Sequence, residues 1–434
     1  MLTSRARRLI VVCACCTGCV TGGLGSVPTP AEIPGLEAEH ARDRGDMELG
    51  LRLATAYREA GRADDARALV DELLERAPAD PGLLTLRGLL AEDLGDWAFA
   101  RASYAAILDA SPSRALRQRI EQRLAVVRRQ ELAADVRAAL AREAEVAQSS
   151  PDPTTVGVFP FVYEGDDPAW EPLALALPEL LTTDLAVTGR LTVLERLRVQ
   201  ALVTELALAE AGRLDPTTAA RSGRLLGSGH VVQGRFRVDA ETRLSVDAVV
   251  VDVLAPGAEQ TAPVVGEDAI ERFFELEKQL AFDIYAEMGV QLTVAERERI
   301  NERQTESVEA LLAFGRGLMA ADAGDFALAA QSFAEAESLD PSFALATDQR
   351  EEAELTEAAT TAGAAADLSS TAQQVSLQQQ AVQDLSQSPV SAQQLILGGV
   401  AERQRSVIAE VLGQDRVGQA TLLELILRVP GGGP

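Results

Sequence analysis

DPTTAARSGRLLGSGHVVQGRF, residues 215–236, passes from helix to strand within one short run. Residues 216–226 read as a helix, Gly227-Ser228-Gly229 breaks it, and residues 230–238 read as a strand containing Gly234. Downstream, Asp239-Ala240-Glu241-Thr242 forms a tight turn into a second strand over 243–253. Residues 260–265 add a further strand. A long helix over 269–288 then follows, with Ile270, Phe273, Leu280 and Ile284 as its buried stripe. Upstream, the order is a strand at 155–161, a helix at 168–188 opened by Pro168, a strand at 191–195 and a helix at 198–211. Ser149-Ser150-Pro151-Asp152-Pro153 marks the boundary before it. Residues 154–300 are therefore expected to form one mixed α/β domain.

On either side of that domain the sequence repeats. Residues 47–80 align with 81–114 at a 34-residue lag, which superimposes Gly61 on Gly95, Ala66 on Ala100, Val70 on Tyr104 and Pro78 on Pro112. Gly61 and Gly95 would close the first helix of each unit, and Ala66 and Ala100 would let two helices approach. Tyr57, Val70, Trp97 and Tyr104 would fill the seam. A third copy at 310–343 carries Gly317, Gly324, Phe326, Ala329, Phe333, Ala336 and Pro341 at matching offsets. The pattern resembles the tetratricopeptide repeat, a helix–turn–helix unit. Two such units need capping neighbours, and residues 115–148, free of Pro and Gly, supply one or two helices. Repeats of this type imply a concave protein-binding face, here Glu48, Leu51, Thr55 and Arg58, then Thr85, Leu89 and Glu92.

The middle segment also carries a resemblance. The succession VGVFPF, LLTTDL, GRLTVLER, VQALVTELAL and DPTTAARSGRLLGSGHVVQGRF, followed by a β-hairpin and a long helix, resembles the CsgG family of curli secretion. It is also similar to the N-terminal domain of TolB. The likeness spans roughly residues 154–295 and implies envelope lipoproteins that assemble as secretion channels or accessory complexes. Channel-forming members insert long hairpins between sheet strands, whereas the links at 239–242 and 254–257 are short here. A membrane strand needs about 9–11 residues, so an accessory scaffold is the leading expectation and a subunit of an oligomeric outer-membrane channel the second.

Composition narrows the chemistry. The 434 residues include 47% hydrophobic and 4% aromatic side chains, enough for packed helical cores. The net charge of -26 lacks the cationic footprint of nucleic-acid binding. Histidine occurs only at His40 and His230, and every cysteine (Cys13, Cys15, Cys16, Cys19) lies near the start. Cysteine nucleophiles, His/Cys metal cages and disulfide frameworks are thereby disfavoured in the body of the chain. The start itself reads as an export signal: Arg5, Arg7 and Arg8 precede a short apolar run over 9–16, too short to span a bilayer. Thr17-Gly18-Cys19 resembles a lipobox, making Cys19 the expected lipidation site after a signal peptide over 1–18, with a tether over 19–46. The acyl chains would hold so acidic a chain at a membrane.

Other constellations are weak. The glycines of 227–234 precede a strand and lack the Lys-Ser/Thr of a phosphate loop. A G-x-S-x-G nucleophile is absent. The acidic loop Glu164-Gly165-Asp166-Asp167 is read as solvated rather than as a Ca²⁺ site, His230 as a packed strand residue, and Glu195-Arg196 as an ion pair of its own. No catalytic residue, metal or cofactor is nominated. After the third repeat (307–350), the Ala/Gln/Ser-rich stretch 351–394 reads as a linker and 395–429 as C-terminal helices. The expected fold is α+β and multidomain: tetratricopeptide-type helices flank a CsgG-like mixed α/β domain and end in a helical tail. The expected role is non-catalytic, with envelope proteins as partners through the repeats, a membrane through lipid, no nucleic acid, and self-association left open.

Overall fold

The structure, a computed structural model, describes residues 29–206, 216–255 and 264–387. The signal peptide, Cys19 and the expected helices at 395–429 lie outside them. The chain divides into two compact units after Leu69. In the first, a 3₁₀ turn at Pro30–Glu32 leads into α1 (Ile33–His40), α2 (Met47–Glu59) and the start of α3 (Ala63–Arg76). Asp46 caps α2 by accepting the Leu49 N–H. The Glu37 carboxylate accepts from Tyr57 Oη at 2.9 Å and Arg62 Nη1 at 3.0 Å, tying α1 to α2.

The second unit begins its helical hairpins with α4 (Pro81–Asp93) and α5 (Trp97–Asp109). Asp80 and Asp96 cap them, and Gly95 turns the chain at φ +73°. Gly61 adopts the same φ, and Gly324 has φ +81°, so the repeat glycines fill one conformational role in all three copies. A long helix, α6 (Arg114–Ala141), and a single turn, α7 (Glu143–Val146), follow.

The middle domain comprises β1 (Asp152–Val158), β2 (Val162–Tyr163), α8 (Leu173–Ala186), β3 (Thr192–Val193), α9 (Arg196–Glu205), α10 (Pro216–Leu226), β4 (Ser228–Val238), β5 (Arg243–Asp252) and β6 (Val264–Ala269). It is completed by α11 (Phe273–Glu287) and α12 (Val294–Ile300). The sheet runs β3-β1-β4-β5-β6, with β2 also pairing with β4. Its first half is parallel and its second antiparallel, because helices return the chain between β1, β3 and β4 while a four-residue turn joins β4 to β5. The helix of the opening motif ends at Gly227 (φ +72°), as read, and the expected strand at 191–195 shrinks to two residues. The last helix begins at Phe273 after a 3₁₀ turn rather than at 269, since residues 264–269 extend the sheet.

Both sheet faces are covered. On one, Val232, Phe236, Val246 and Val250 pack with Leu177, Leu181, Leu280 and Ile284 of α8 and α11. On the other, Val231, Val249 and Val251 pack with α9, α10 and Val136 of α6. The first core continues without a break into α13 (Val308–Asp322), α14 (Phe326–Leu339) and α15 (Ala344–Thr360). The last described element is α16 (Ala364–Gln387).

Residues 351–360 and 364–387 are thus helical rather than a flexible linker; residues 388–394 of that stretch lie outside the described region. Ala and Gln favour helix, and small side chains allow close packing where bulky ones are missing. Ala353, Thr356 and Ala359 are buried along α15, which packs on α6. Leu368, Ala372 and Ser376 are buried along α16, which packs on α4 and α6. The stack α4–α5–α6–α15–α14–α13 runs on into α8, so the downstream hairpin joins the upstream one through α6 and clasps the sheet domain.

Candidate protein-interaction site

A repeat hairpin needs a seam that is small on one helix and large on the other. Gly88 of α4 faces the Tyr104 ring of α5 so closely that a Cβ there would come within 2.4 Å of Cε1. In the downstream hairpin, Gly317 and Phe333 reproduce that approach at 2.4 Å. Tyr104, Phe333, Ala100 and Ala329 are fully buried. Sequence reading named Gly317 but missed Gly88; the signal was its spacing from Tyr104, the same as Gly317 from Phe333.

That seam fixes which side of the first helix faces inward. In the first unit, Leu51 and Thr55 are buried, Thr55 Oγ1 donating to the Leu51 carbonyl, while Glu48 and Arg58 are half-buried. In the second unit the expected contact residues are buried or half-buried. Thr85 and Leu89 are each 1% exposed. Glu92 accepts from Tyr104 Oη and from Arg123 Nε at 2.8 Å, an internal tie from α4 to α5 and α6. Burial, reinforced by the Glu92 charge, holds the Tyr104 phenol well above its ordinary range.

What covers this face is the chain itself. Ser376 Oγ of α16 accepts the Gly82 N–H at 2.8 Å and donates to Asp80 Oδ1 at 2.8 Å, at the N-terminus of α4. Arg119 of α6 lies 3.6 Å from Asp367 at the start of α16. α16 therefore packs along α4 and engages its N-terminus.

The downstream hairpin is used differently. Gly315 of α13 lies against the Pro172 carbonyl just before α8, where a Cβ would meet the oxygen at 2.3 Å. Beside it, Arg196 Nη1 of α9 binds Asp322 Oδ1 at 2.7 Å and Oδ2 at 2.9 Å, with Glu179 of α8 at 3.8 Å from Nε. Burial pushes the Glu179 carboxyl up, opposed by the Arg196 charge. The expected Glu195–Arg196 pair is not formed: Glu195 binds Arg128 of α6 at 2.8 Å while Arg196 turns to α13. Adjacent residues at a helix start diverge, so each reaches a different neighbour.

A second charged cluster lies within the sheet domain. Lys278 Nζ of α11 is 2.8 Å from both oxygens of Asp184 on α8 and 3.3 Å from Glu277 Oε2. Glu277 is fully buried, and its desolvation beside Asp184 pushes its carboxyl well above the usual range. Tyr285 Oη donates to the Asp184 and Leu185 carbonyls, closing the cluster. In the acidic loop, Asp167 caps a 3₁₀ turn and Glu164 pairs with Arg235, and His230 lies in β4. Among the described residues no cluster of His, Cys, Asp and Glu has the arrangement of a metal site, and no helix is long and apolar enough to cross a membrane.

With this geometry in view, the likeness to known families is direct. Residues 141–252 match the family model of the curli production assembly/transport component CsgG, from the end of α6 through β5. Residues 36–90 match a tetratricopeptide repeat model. The chain carries a CsgG-type domain beside tetratricopeptide repeats. The CsgG match thus covers β1–β5, and the repeat match runs from within α1 into α4. Repeats of this kind generally mediate contacts between proteins. A 62-residue stretch is 42% identical to cellulose synthase operon protein C of Xanthomonas axonopodis pv. citri (strain 306), covering 14% of this chain and 4% of that protein. Solved structures similar to the chain include the LpoB C-terminal domain from Salmonella enterica, at 16% identity and a TM-score of 0.21, covering 30% of this chain and 93% of that one. Another is a tetratricopeptide repeat protein from Parabacteroides merdae ATCC 43184, at 13% identity and a TM-score of 0.21, covering 74% and 91%.

Proposed function

We propose that this protein is a non-catalytic lipoprotein of the bacterial cell envelope. It is anchored through Cys19 in the outer membrane, faces the periplasm, and supports assembly of a secretion or cell-surface complex. The observation that carries this reading is the CsgG-type match over 141–252 on a sheet domain clasped by repeat helices. The sheet domain supplies a rigid body, the repeats supply surface for envelope proteins, and the lipid supplies the membrane attachment. No nucleic acid or cofactor enters the scheme.

A channel subunit is the competing reading. β4 and β5 are joined by residues 239–242 alone, and β5 and β6 by 253–263, whereas a membrane hairpin needs two strands of about 9–11 residues each. Those lengths favour the supporting role. Labelled palmitate should enter the parent chain and not Cys19→Ala; absence of label from the parent would remove the anchor. Negative-stain images of detergent-purified protein should show single particles, and rings with a central lumen would favour the channel.

A further inference from the structure

The inner face of α4 and α6 is filled by α16, and the way it is filled describes what the groove accepts. The buried positions of α16, Leu368, Ala372 and Ser376, fall at four-residue intervals on one helical stripe. One is apolar, one is small, and one is a hydroxyl that engages the N-terminus of α4 through the Gly82 N–H and Asp80. The remainder of α16 is rich in Gln, Ser and Ala. Such a helix buries little apolar surface of its own, yet residues 361–363 alone separate it from α15, with Gly363 at φ +91°. A tether that short holds a weak ligand at millimolar effective concentration. Weak intrinsic contact with strong tethering is the combination that keeps a groove closed and still lets a competitor open it.

We propose that this face is a helix-binding groove which α16 occupies as a self-ligand, and that a partner helix enters it by displacing α16. The partner presents the same stripe: an apolar residue, a small one and a hydroxyl, spaced by four. The inference rests on the reading of the repeats as a partner surface and adds what that surface recognises and how it is gated.

The test uses the full chain carrying Leu368→Glu and Ser376→Glu, and a fluorescent peptide of residues 364–387 as probe. In this variant the amides of α4 and of the first half of α6 should exchange at least 10-fold faster than in the parent, while β4 and β5 keep their protection. The peptide should bind the variant at least 10-fold more tightly than the parent and restore protection to α4. A peptide carrying Leu368→Glu should not. Ser376→Ala, a milder change, should speed exchange at the N-terminus of α4 alone. Unchanged exchange in α4 would overturn the proposal, as would peptide binding to neither chain, or loss of protection in β4 and β5 together with α4. Because no envelope protein takes part, failure here leaves palmitate labelling and negative-stain imaging to judge the scaffold reading separately.

Discussion

In the α4–α5 hairpin Gly88 lies against Tyr104, and in the α13–α14 hairpin Gly317 lies against Phe333, so one packing rule builds both. Their surroundings differ. The first helix of the downstream pair is locked to the sheet domain by Gly315 on the Pro172 carbonyl and by the Arg196–Asp322 bond. The first helix of the upstream pair carries α16, a polar helix tied down by one serine, one exposed ion pair to α6 and a narrow buried stripe. The same local code thus serves as fixed cement on one side and as a covered groove on the other. The difference lies in what packs on the hairpin rather than in the hairpin.

The largest way to break this comparison is Arg196→Ala. Both partners are nearly buried, at 13% and 11% exposure, and the change strands Asp322 and Glu179 without their cation. Breaking a buried pair costs about 3–5 kcal/mol, which urea unfolding should report. Arg123→Ala in the upstream network, where Arg123 is 20% exposed, should cost less. Equal losses would mean that the two hairpins are equally welded.

Next come Gly88→Ala and Gly317→Ala. Each new Cβ would press on a buried ring, and overpacking of this kind costs about 1–3 kcal/mol, offset in part by about 1 kcal/mol of helix propensity. Matching losses in thermal unfolding support a shared seam; a neutral Gly88→Ala beside a damaging Gly317→Ala would break it.

Glu277 sharpens the fixed side. Its folded-state carboxyl titrates above its unfolded value, so the folded state holds the extra proton. Stability should therefore fall as pH rises from the ordinary carboxylate range through that raised value. Glu277→Gln should flatten this slope and raise stability at neutral pH; an unchanged pH profile would show that the cluster is not the source. The smallest expected effect is that of Ser376→Ala. It removes one bridging hydroxyl, costs about 1 kcal/mol locally, and should leave the global unfolding midpoint nearly unmoved.

Much of this was legible in the sequence because the deciding signals are local. Gly227 ends a helix and the following residues start a strand; Gly61, Gly95 and Gly324 share a left-handed turn. The order of strands and helices in the sheet domain could be read for the same reason. What could not be read was pairing over long sequence separations. Residues 351–394 looked too poor in apolar side chains for more than a flexible or marginally helical segment. Yet Ala353 and Ala359 are buried along α15, which packs on α6, and Leu368 and Ala372 along α16, which packs on α4 and α6, helices hundreds of residues upstream. The site was hidden for the same reason. Thr85 and Leu89 were read as open contact positions on α4, and the fold buries both. Glu195 and Arg196 were paired by adjacency, and the fold sends them to α6 and α13.

The claim that one hairpin is gated and the other fixed is tested most directly by native-state hydrogen exchange of the unmodified chain across low urea concentrations. The account predicts that amides of α16 and the inner face of α4 exchange through a shared partial opening, with a lower free energy than those of α8 and α13, which open only on global unfolding. Identical opening energies and urea dependence for α16 and α13 would contradict it.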